Sequence, residues 1–174
     1  MRYLPKHPKS SIDYKIELAC HFQTNFGQEL LQDKDIRSQL LELDQNIEST
    51  WKEMASIGVV RECRNCSEKE GSCCGTGMEN SYDEVLLLIN LLLGRTLPNQ
   101  ARDSNSCYFL GENGCLLRAR EVICVNYLCQ QIWRNIEKEK LIHLQRIAGN
   151  ELKTLFILEE DIKKKLRGCP TPGF

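Results

Sequence analysis

Eight cysteines fall within one stretch of the 174-residue chain, and thiols at this density indicate metal binding, disulfides or redox chemistry. They form two groups of four, which are Cys63, Cys66, Cys73 and Cys74, and then Cys107, Cys115, Cys124 and Cys129. The first group opens with a C-x2-C pair, whose spacing lets a single turn direct both sulfurs at one metal ion. The vicinal pair Cys73-Cys74 follows in a glycine-rich stretch. We therefore predict that the eight cysteines are metal ligands.

The ligand type narrows the choice of metal. The three histidines, His7, His21 and His143, lie outside the cysteine-rich stretch, so the predicted site is wholly or mostly thiolate. Thiolates select mainly zinc and iron–sulfur clusters. Zinc ribbons and fingers usually contain two paired knuckles, so the irregular spacing here favours an iron–sulfur cluster, with [4Fe–4S] first and Zn2+ as the alternative. Four thiolates satisfy one zinc ion or one cubane, so the number of sites and the ligands of each stay open.

Features outside the cysteines bear on location and partners. Residues 1–22 contain no apolar run that could form the core of a signal peptide, and the longest apolar stretch, 85–93, is far shorter than the roughly 20 residues that span a bilayer. We therefore predict a cytoplasmic protein without a membrane segment. In that reducing compartment cysteines are metal ligands more often than disulfides. The net charge of −1, without a basic region, predicts no nucleic-acid partner.

The elements that must position the cysteines are predicted to be mainly helical. The chain length indicates a single domain over residues 1–174, built as a helical bundle of about five helices with two irregular cysteine-rich loops bound to metal. We predict a helical scaffold at 10–58 and 120–167 and a cysteine-cluster core at 59–130.

Apolar residues that recur at spacings of three and four predict the individual helices. The predicted long helices cover residues 12–32, 36–54, 121–147 and 150–166, with Gly58 and Gly149 as helix ends. Ser81 and Glu84 predict a capping box for a short buried helix that ends at Gly94.

The remaining segments are predicted to be irregular. They are residues 59–80 and 95–118, and the second contains a turn at 111–114 that predicts a hairpin carrying Cys107 and Cys115. Cys20 is predicted to be a small core residue of the first helix, and Cys169 to lie in a loose tail, so neither is counted as a ligand.

The order of the cysteine motifs resembles a known family. The motifs are Cys63-Arg-Asn-Cys66, Cys73-Cys74-Gly75, Cys107-Tyr-Phe-Leu110, Gly114-Cys115-Leu-Leu-Arg-Ala-Arg120 and Cys124-Val-Asn-Tyr127. In this order they resemble the YkgJ or CxxCxxCC cysteine-cluster family over about residues 60–130, which implies a zinc- or iron-chelating domain. A similar cysteine pattern occurs in the flagellin lysine N-methylase. The chain departs from the family in two places, since six residues rather than two separate Cys66 from Cys73, and Arg120-Glu121 stands where the family has Arg-Pro.

Three functional hypotheses follow. The first is a [4Fe–4S] protein with an electron-transfer, redox-sensing or accessory role toward a redox or enzyme protein partner. The second is an interaction protein whose structure is held by zinc, and the third is the cofactor-bearing part of an enzyme such as a protein N-methylase-like activity. The sequence contains no dinucleotide-binding loop, phosphate loop or recognisable catalytic triad, so a non-catalytic metal-binding role is favoured and no catalytic residue is assigned. The oligomeric state is left open.

Overall fold

The structure, a computed structural model, describes residues 11–69, 73–102 and 104–168, and for residues 66–69 it describes the backbone alone. His7, Cys169 and the side chain of Cys66 lie outside the described residues. The elements in chain order are α1 (Ile12–Gln32), α2 (Lys34–Ser56), α3 (Val59–Lys69), a 3-10 turn (Met78–Ser81), α4 (Glu84–Leu92), β1 (Leu110–Gly111), β2 (Gly114–Cys115), α5 (Val122–Asn126), α6 (Gln130–Asn135) and α7 (Lys138–Leu166).

Four helices form the frame of the molecule. Helix α2 packs along α7, and α1 packs against α4, which also contacts α7. The predicted apolar faces are buried, as shown by Ile36, Leu43 and Ile47 of α2, each 0% exposed. The mainly helical fold class is therefore confirmed, together with the first two predicted helices. Gly58, at φ +91°, lies just after α2 as predicted.

Helix α4 lies inside this frame. Every residue from Val85 to Asn90 is buried, which confirms the predicted buried helix, and Gly94 follows its end at φ +77°. The predicted capping box is wrong. Asp83 caps the helix by accepting from the Leu86 N–H at 2.8 Å, because the Ser81 hydroxyl already donates to the Met78 carbonyl at 2.7 Å in the preceding 3-10 turn.

The prediction of irregular backbone from residue 59 is wrong at its start, where the chain forms α3. Val59 is fully buried and Val60 packs against the same small apolar cluster, so two adjacent side chains anchor the first turn. The Glu62 N–H donates to the Gly58 carbonyl at 3.1 Å and begins the helical hydrogen bonding. The rest of α3 is polar, which is why apolar periodicity did not predict it.

The helix predicted at 121–147 is divided into α5, α6 and the start of α7. The chain is extended at Tyr127 (φ −77°, ψ 115°) and at Ile136 (φ −122°, ψ 140°). Packing explains the difference, because Val125 is buried while Ile123 and Tyr127 are 48% and 58% exposed. The face that the spacing predicts is therefore not the face that the fold buries.

The predicted end at Gly149 is also wrong, since α7 continues through this residue from Lys138 to Leu166. A glycine ends a helix only where tertiary packing favours the left-handed conformation, and Gly149 has no positive φ.

Two smaller predictions have opposite outcomes. The hairpin is confirmed, because β1 and β2 pair in antiparallel register with Leu110 opposite Cys115. Cys20 is exposed, so its prediction as a core residue is wrong: α1 buries Ala19 and Phe22 beside it instead. No helix within the described residues is long and apolar enough to cross a membrane.

Candidate metal centre

Three segments that carry cysteines meet beside α4. The Cys107 N–H donates to the Cys74 carbonyl at 2.8 Å, and Gly75 and Ser106 form an isolated antiparallel bridge. The hairpin then places Cys115 opposite Leu110. The segment after residue 72 and the hairpin are thereby held as neighbours, and a hydrogen bond from the Glu121 N–H to the Tyr82 hydroxyl attaches the approach to α5.

Four thiols come from these segments, Cys74, Cys107, Cys115 and Cys124, and Cys74 and Cys115 each lie within electrostatic range of the other three. Burial, together with smaller contributions from negative charge on Glu79, Cys115 and Cys74, raises the pKa of the Cys107 thiol to about 11. Burial also raises the pKa of Cys115 and of Cys124. Negative charge on Cys74 acts in the same direction on both, and negative charge on Cys124 does so on Cys115. None of the cysteines whose side chains are described forms a disulfide.

Tyr82 lies beside two of these thiols, Cys115 and Cys124. Its side chain is 1% exposed, and its ring contacts Phe109 edge-on at a centroid distance of 5.0 Å. The hydroxyl accepts from the Glu121 N–H at 3.3 Å and donates to Cys124 Sγ at 3.9 Å. Burial raises the pKa of Tyr82 well above its usual range, so the hydroxyl keeps its proton and remains a donor to the sulfur.

Asn90 fixes the backbone between Cys115 and Cys124. It is 0% exposed, and its Oδ1 accepts from the N–H groups of Arg118 at 2.7 Å and Ala119 at 3.0 Å. Its Nδ2 donates to the carbonyls of Ala119 and Leu86, each at 2.9 Å. One buried amide therefore attaches this loop to α4 and uses both its donors and its acceptor.

A buried arginine follows on the same loop. Arg120 is 6% exposed, and its guanidinium carbon lies 4.4 Å from the centroid of the Trp51 ring, a cation–π contact. Its positive charge lowers the pKa of Cys115 and Cys124, against the larger opposite effect of burial. On α7, Glu151 is 0% exposed, and burial raises the pKa of its carboxyl although Thr50 and Arg120 act in the opposite direction.

Of the other predicted ligands with described side chains, two lie on or beside other helices and one lies next to Cys74. Cys63 is exposed on α3, and Cys129 precedes α6 and packs against the second apolar cluster. Glu62 and Asn135 join these two helices through a hydrogen bond of 2.8 Å. Cys73 is exposed next to the half-buried Cys74. Within the described ranges, no three His, Cys, Asp or Glu side chains are placed closely enough to hold a metal ion as they stand.

Several polar residues of this region were not predicted from the sequence. Tyr82 and Asn90 carry no motif, although an amide inside the run VLLLINLLL is a signal that a buried polar contact must exist. Arg120 stands in the motif that carries the family resemblance, but nothing in the spacing indicates that its side chain is buried.

Comparison with known proteins identifies no relative: no family model, no curated protein and no solved structure matches this chain.

Proposed function

We propose that this protein binds a metal centre through the thiolates of Cys74, Cys107, Cys115 and Cys124, with a [4Fe–4S] cluster as the first candidate and Zn2+ as the alternative. The observation that carries the proposal is the grouping of four cysteines from three separate chain segments, in which Cys74 and Cys115 each lie within electrostatic range of the other three and Cys124 accepts from the buried hydroxyl of Tyr82. Four thiolates complete the coordination of either centre. The resemblance to the YkgJ family, proposed on the same motifs, agrees with this function.

The donor set suits such a centre. A cysteine side chain has one rotatable bond before its sulfur, so a change of χ1 redirects Sγ while the hydrogen-bonded backbone stays in place. An open pocket of about 240 Å³ is lined in part by Trp51, Cys115 and Arg118. It would give a metal ion access from solvent to the Cys115 side of the group.

Burial of the thiols favours metal binding over a dithiol redox reaction. A nucleophilic cysteine needs a lowered pKa, whereas the pKa values of Cys107, Cys115 and Cys124 are all raised by burial. A metal cation favours the thiolate over the protonated thiol, because it replaces the proton on each sulfur.

The surrounding residues have distinct roles in the proposed centre. A bound [4Fe–4S] cluster would exchange single electrons, whereas zinc would only hold the loops together. The Tyr82 hydroxyl donates to Cys124 and orients its sulfur. Phe109 and Leu117, 0% and 3% exposed, exclude water from one side. Asn90 holds the connecting backbone in position.

The test is metal analysis combined with an absorption spectrum on protein purified without oxygen. The [4Fe–4S] centre predicts stoichiometric iron and sulfide with broad absorbance at about 400 nm, whereas zinc predicts one colourless ion per chain. Protein that retains neither metal and cannot be reconstituted with iron, sulfide or zinc would overturn the proposal.

Serine substitutions identify the ligands. Each of Cys74→Ser, Cys107→Ser, Cys115→Ser and Cys124→Ser is expected to lose most of the bound metal. Cys20→Ser on the exposed side of α1 is the matched control and is expected to retain it. Cys63→Ser and Cys129→Ser are also expected to retain it, and full loss in these two variants would contradict the proposed ligand set.

A further inference from the structure

Arg120 is a buried cation, and two of its three guanidinium nitrogens make no hydrogen bond within the described chain. It is 6% exposed, yet its Nε and Nη2 atoms have no hydrogen-bond partner among the described residues. Arg118, two residues earlier, shows the usual arrangement, with Nε 2.7 Å from Asp44 Oδ1 and Nη2 3.3 Å from Glu48 Oε2. A buried N–H group without an acceptor is destabilising, so the unused donors of Arg120 indicate a missing partner.

The neighbours of Arg120 indicate where that partner belongs. Arg120 contacts the Trp51 ring, and Trp51 and Cys115 line the same pocket. The guanidinium charge lowers the pKa of Cys115 and of Cys124, so both thiols lie within its electrostatic range. The fully buried Glu151 is also within that range but makes no hydrogen bond with Arg120. Burial raises the pKa of the Glu151 carboxyl, and because neither of its oxygens accepts from Arg120, Glu151 does not supply the acceptor that the guanidinium lacks.

The backbone holds Arg120 in a fixed position. Ala119 is bound through both its N–H and its carbonyl to Asn90, at 3.0 and 2.9 Å. The Glu121 N–H donates to the Tyr82 hydroxyl at 3.3 Å. The flat contact with Trp51, at 4.4 Å, then restrains the guanidinium itself. The donors are thus positioned before any ligand arrives.

We propose that Arg120 is a positioning residue of the metal centre, whose buried N–H groups donate to the metal-bound sulfurs of Cys115 and Cys124 and balance their negative charge. This inference rests on the proposed function. A neutral thiol is a weak acceptor, but a metal-bound thiolate is a strong one, and four thiolates around a divalent centre leave it negatively charged. The donors of Arg120 therefore gain their acceptors when the centre is loaded.

The test compares Arg120→Met with Arg37→Met. Methionine retains an unbranched apolar chain over Trp51 but removes the charge and the donors. Arg37 is exposed on α2, so its replacement makes the same change in net charge away from the thiols. Zn2+ affinity is measured by competition with a chromophoric chelator. We expect Arg120→Met to bind Zn2+ about 10- to 100-fold more weakly than the wild type, with Arg37→Met unchanged.

A second readout separates hydrogen bonding to sulfur from a general role in stability. The Co2+-loaded protein shows a sulfur-to-metal charge-transfer band, and loss of an N–H donor raises the energy of the sulfur lone pair. The band is therefore expected at longer wavelength in Arg120→Met. If the chain binds a [4Fe–4S] cluster, the reduction potential is expected to fall, because the reduced, more negative state loses its counter-charge.

The outcomes are distinguishable. Wild-type protein that binds neither Zn2+ nor an iron–sulfur cluster overturns the proposed function and this inference together. A metal-binding wild type with unchanged affinity, band position and potential in Arg120→Met overturns the inference alone, as does an equal loss in Arg37→Met. If Arg120→Met does not fold, Arg120→Lys decides, since it retains the charge without the planar donor geometry. It is expected to show a smaller change in the same direction, and wild-type values in that variant overturn the inference.

Discussion

Asn90 is a residue whose replacement should destabilise the protein far more than an ordinary polar substitution. In Asn90→Leu the N–H groups of Arg118 and Ala119 and the Ala119 carbonyl lose their partner inside the protein. Each buried group left without a partner costs about 1–3 kcal/mol, so we expect a loss of more than about 2 kcal/mol in the free energy of unfolding. Chemical denaturation measures it.

The matched control is Asn25→Leu on the exposed side of α1. Among the described residues, the Asn25 side chain bonds to His21, one helical turn earlier, with 2.8 Å from its Nδ2 to the His21 carbonyl. Its replacement is expected to change the free energy of unfolding by less than about 0.5 kcal/mol. Equal effects of the two substitutions would contradict the role assigned to Asn90.

The carboxyl of Glu159 is expected to make the stability of the folded protein depend on pH. Burial raises the pKa of this half-buried carboxyl to about 7, and negative charge on Asp83 and Glu121 acts in the same direction against Lys163. An acid whose folded-state pKa lies above its unfolded value stabilises the fold at low pH and loses that contribution as pH rises through 7. Glu159→Gln is therefore expected to be more stable than the wild type at pH 8, by about 1–2 kcal/mol after allowance for solvent screening.

At pH 5 this advantage should nearly disappear, because the wild-type carboxyl is then largely protonated in the folded state. Thermal unfolding at both pH values measures the difference. Glu112→Gln in the exposed hairpin turn serves as the control. A stabilisation by Glu159→Gln that is independent of pH would exclude this explanation.

Single residues also show where prediction from sequence ends. The cysteines could be recognised because eight thiols in one stretch form an unusual pattern. Tyr82 and Arg120 could not, because tyrosine and arginine are common residues whose effect here depends on burial and on neighbours far away in the chain. The same limit applies to Cys20, which differs from the buried Ala19 only by its direction on α1.

At the scale of the elements, replacement by alanine is expected to have opposite effects on stability at two glycines that lie in open space. A Cβ added to Gly149 or to Gly94 meets no atom within 4 Å, so sterics do not distinguish them. Gly149 lies inside α7, whereas Gly94 has φ +77° after α4. Gly149→Ala is expected to stabilise the protein by about 0.5–1 kcal/mol, because alanine loses less backbone entropy in a helix.

Gly94→Ala is expected to destabilise it by about 1 kcal/mol, because an L-residue is strained in the left-handed conformation. Thermal and chemical unfolding of the two variants measure both effects. If Gly149→Ala were destabilising, α7 would not be one continuous helix, and the end predicted from sequence at that glycine would be correct.

Elements were predictable where the apolar repeat and the buried face coincide. Helix α2 satisfies this condition, because its residues at spacings of three and four all face the core. Helix α3 does not, since its packing depends on two adjacent valines. The break between α5 and α6 also has no local signal, because neither proline nor glycine lies there and the division follows from burial of Val125 in place of Tyr127.

At the level of the whole molecule, the helical frame and the cysteine-bearing loops differ in how their parts meet. The contacts of α2 with α7 and of α1 with α4 are largely those of apolar side chains, and hydrogen bonds such as Gln39 to Asp161 at 2.8 Å add to the first pair. The cysteine-bearing segments contribute Phe109 and Leu117 to the same core. They meet one another through a few backbone hydrogen bonds, such as Cys107 N–H to the Cys74 carbonyl at 2.8 Å and Leu116 N–H to the Phe109 carbonyl at 2.9 Å. The sequence predicts the frame well, but it does not contain a local signal for contacts between residues far apart in the chain.

This division predicts how the protein responds to loss of metal. Removal of the proposed metal by a chelator should lower the melting temperature while leaving most of the helical circular-dichroism signal, because the frame does not depend on the thiols. For free metal at about 100 times its dissociation constant, linkage gives about 2.7 kcal/mol of stabilisation.

Hydrogen exchange should locate the change: the amides of Cys107 and Leu116 are expected to lose protection, whereas those of Leu43 in α2 and Leu158 in α7 keep theirs. Restoring the metal should restore the protection, and the Cys107→Ser variant should show the metal-free pattern under all conditions. Unfolding of all helices on metal removal would instead mean that the centre, and not the apolar contacts of α2 with α7, holds the frame together.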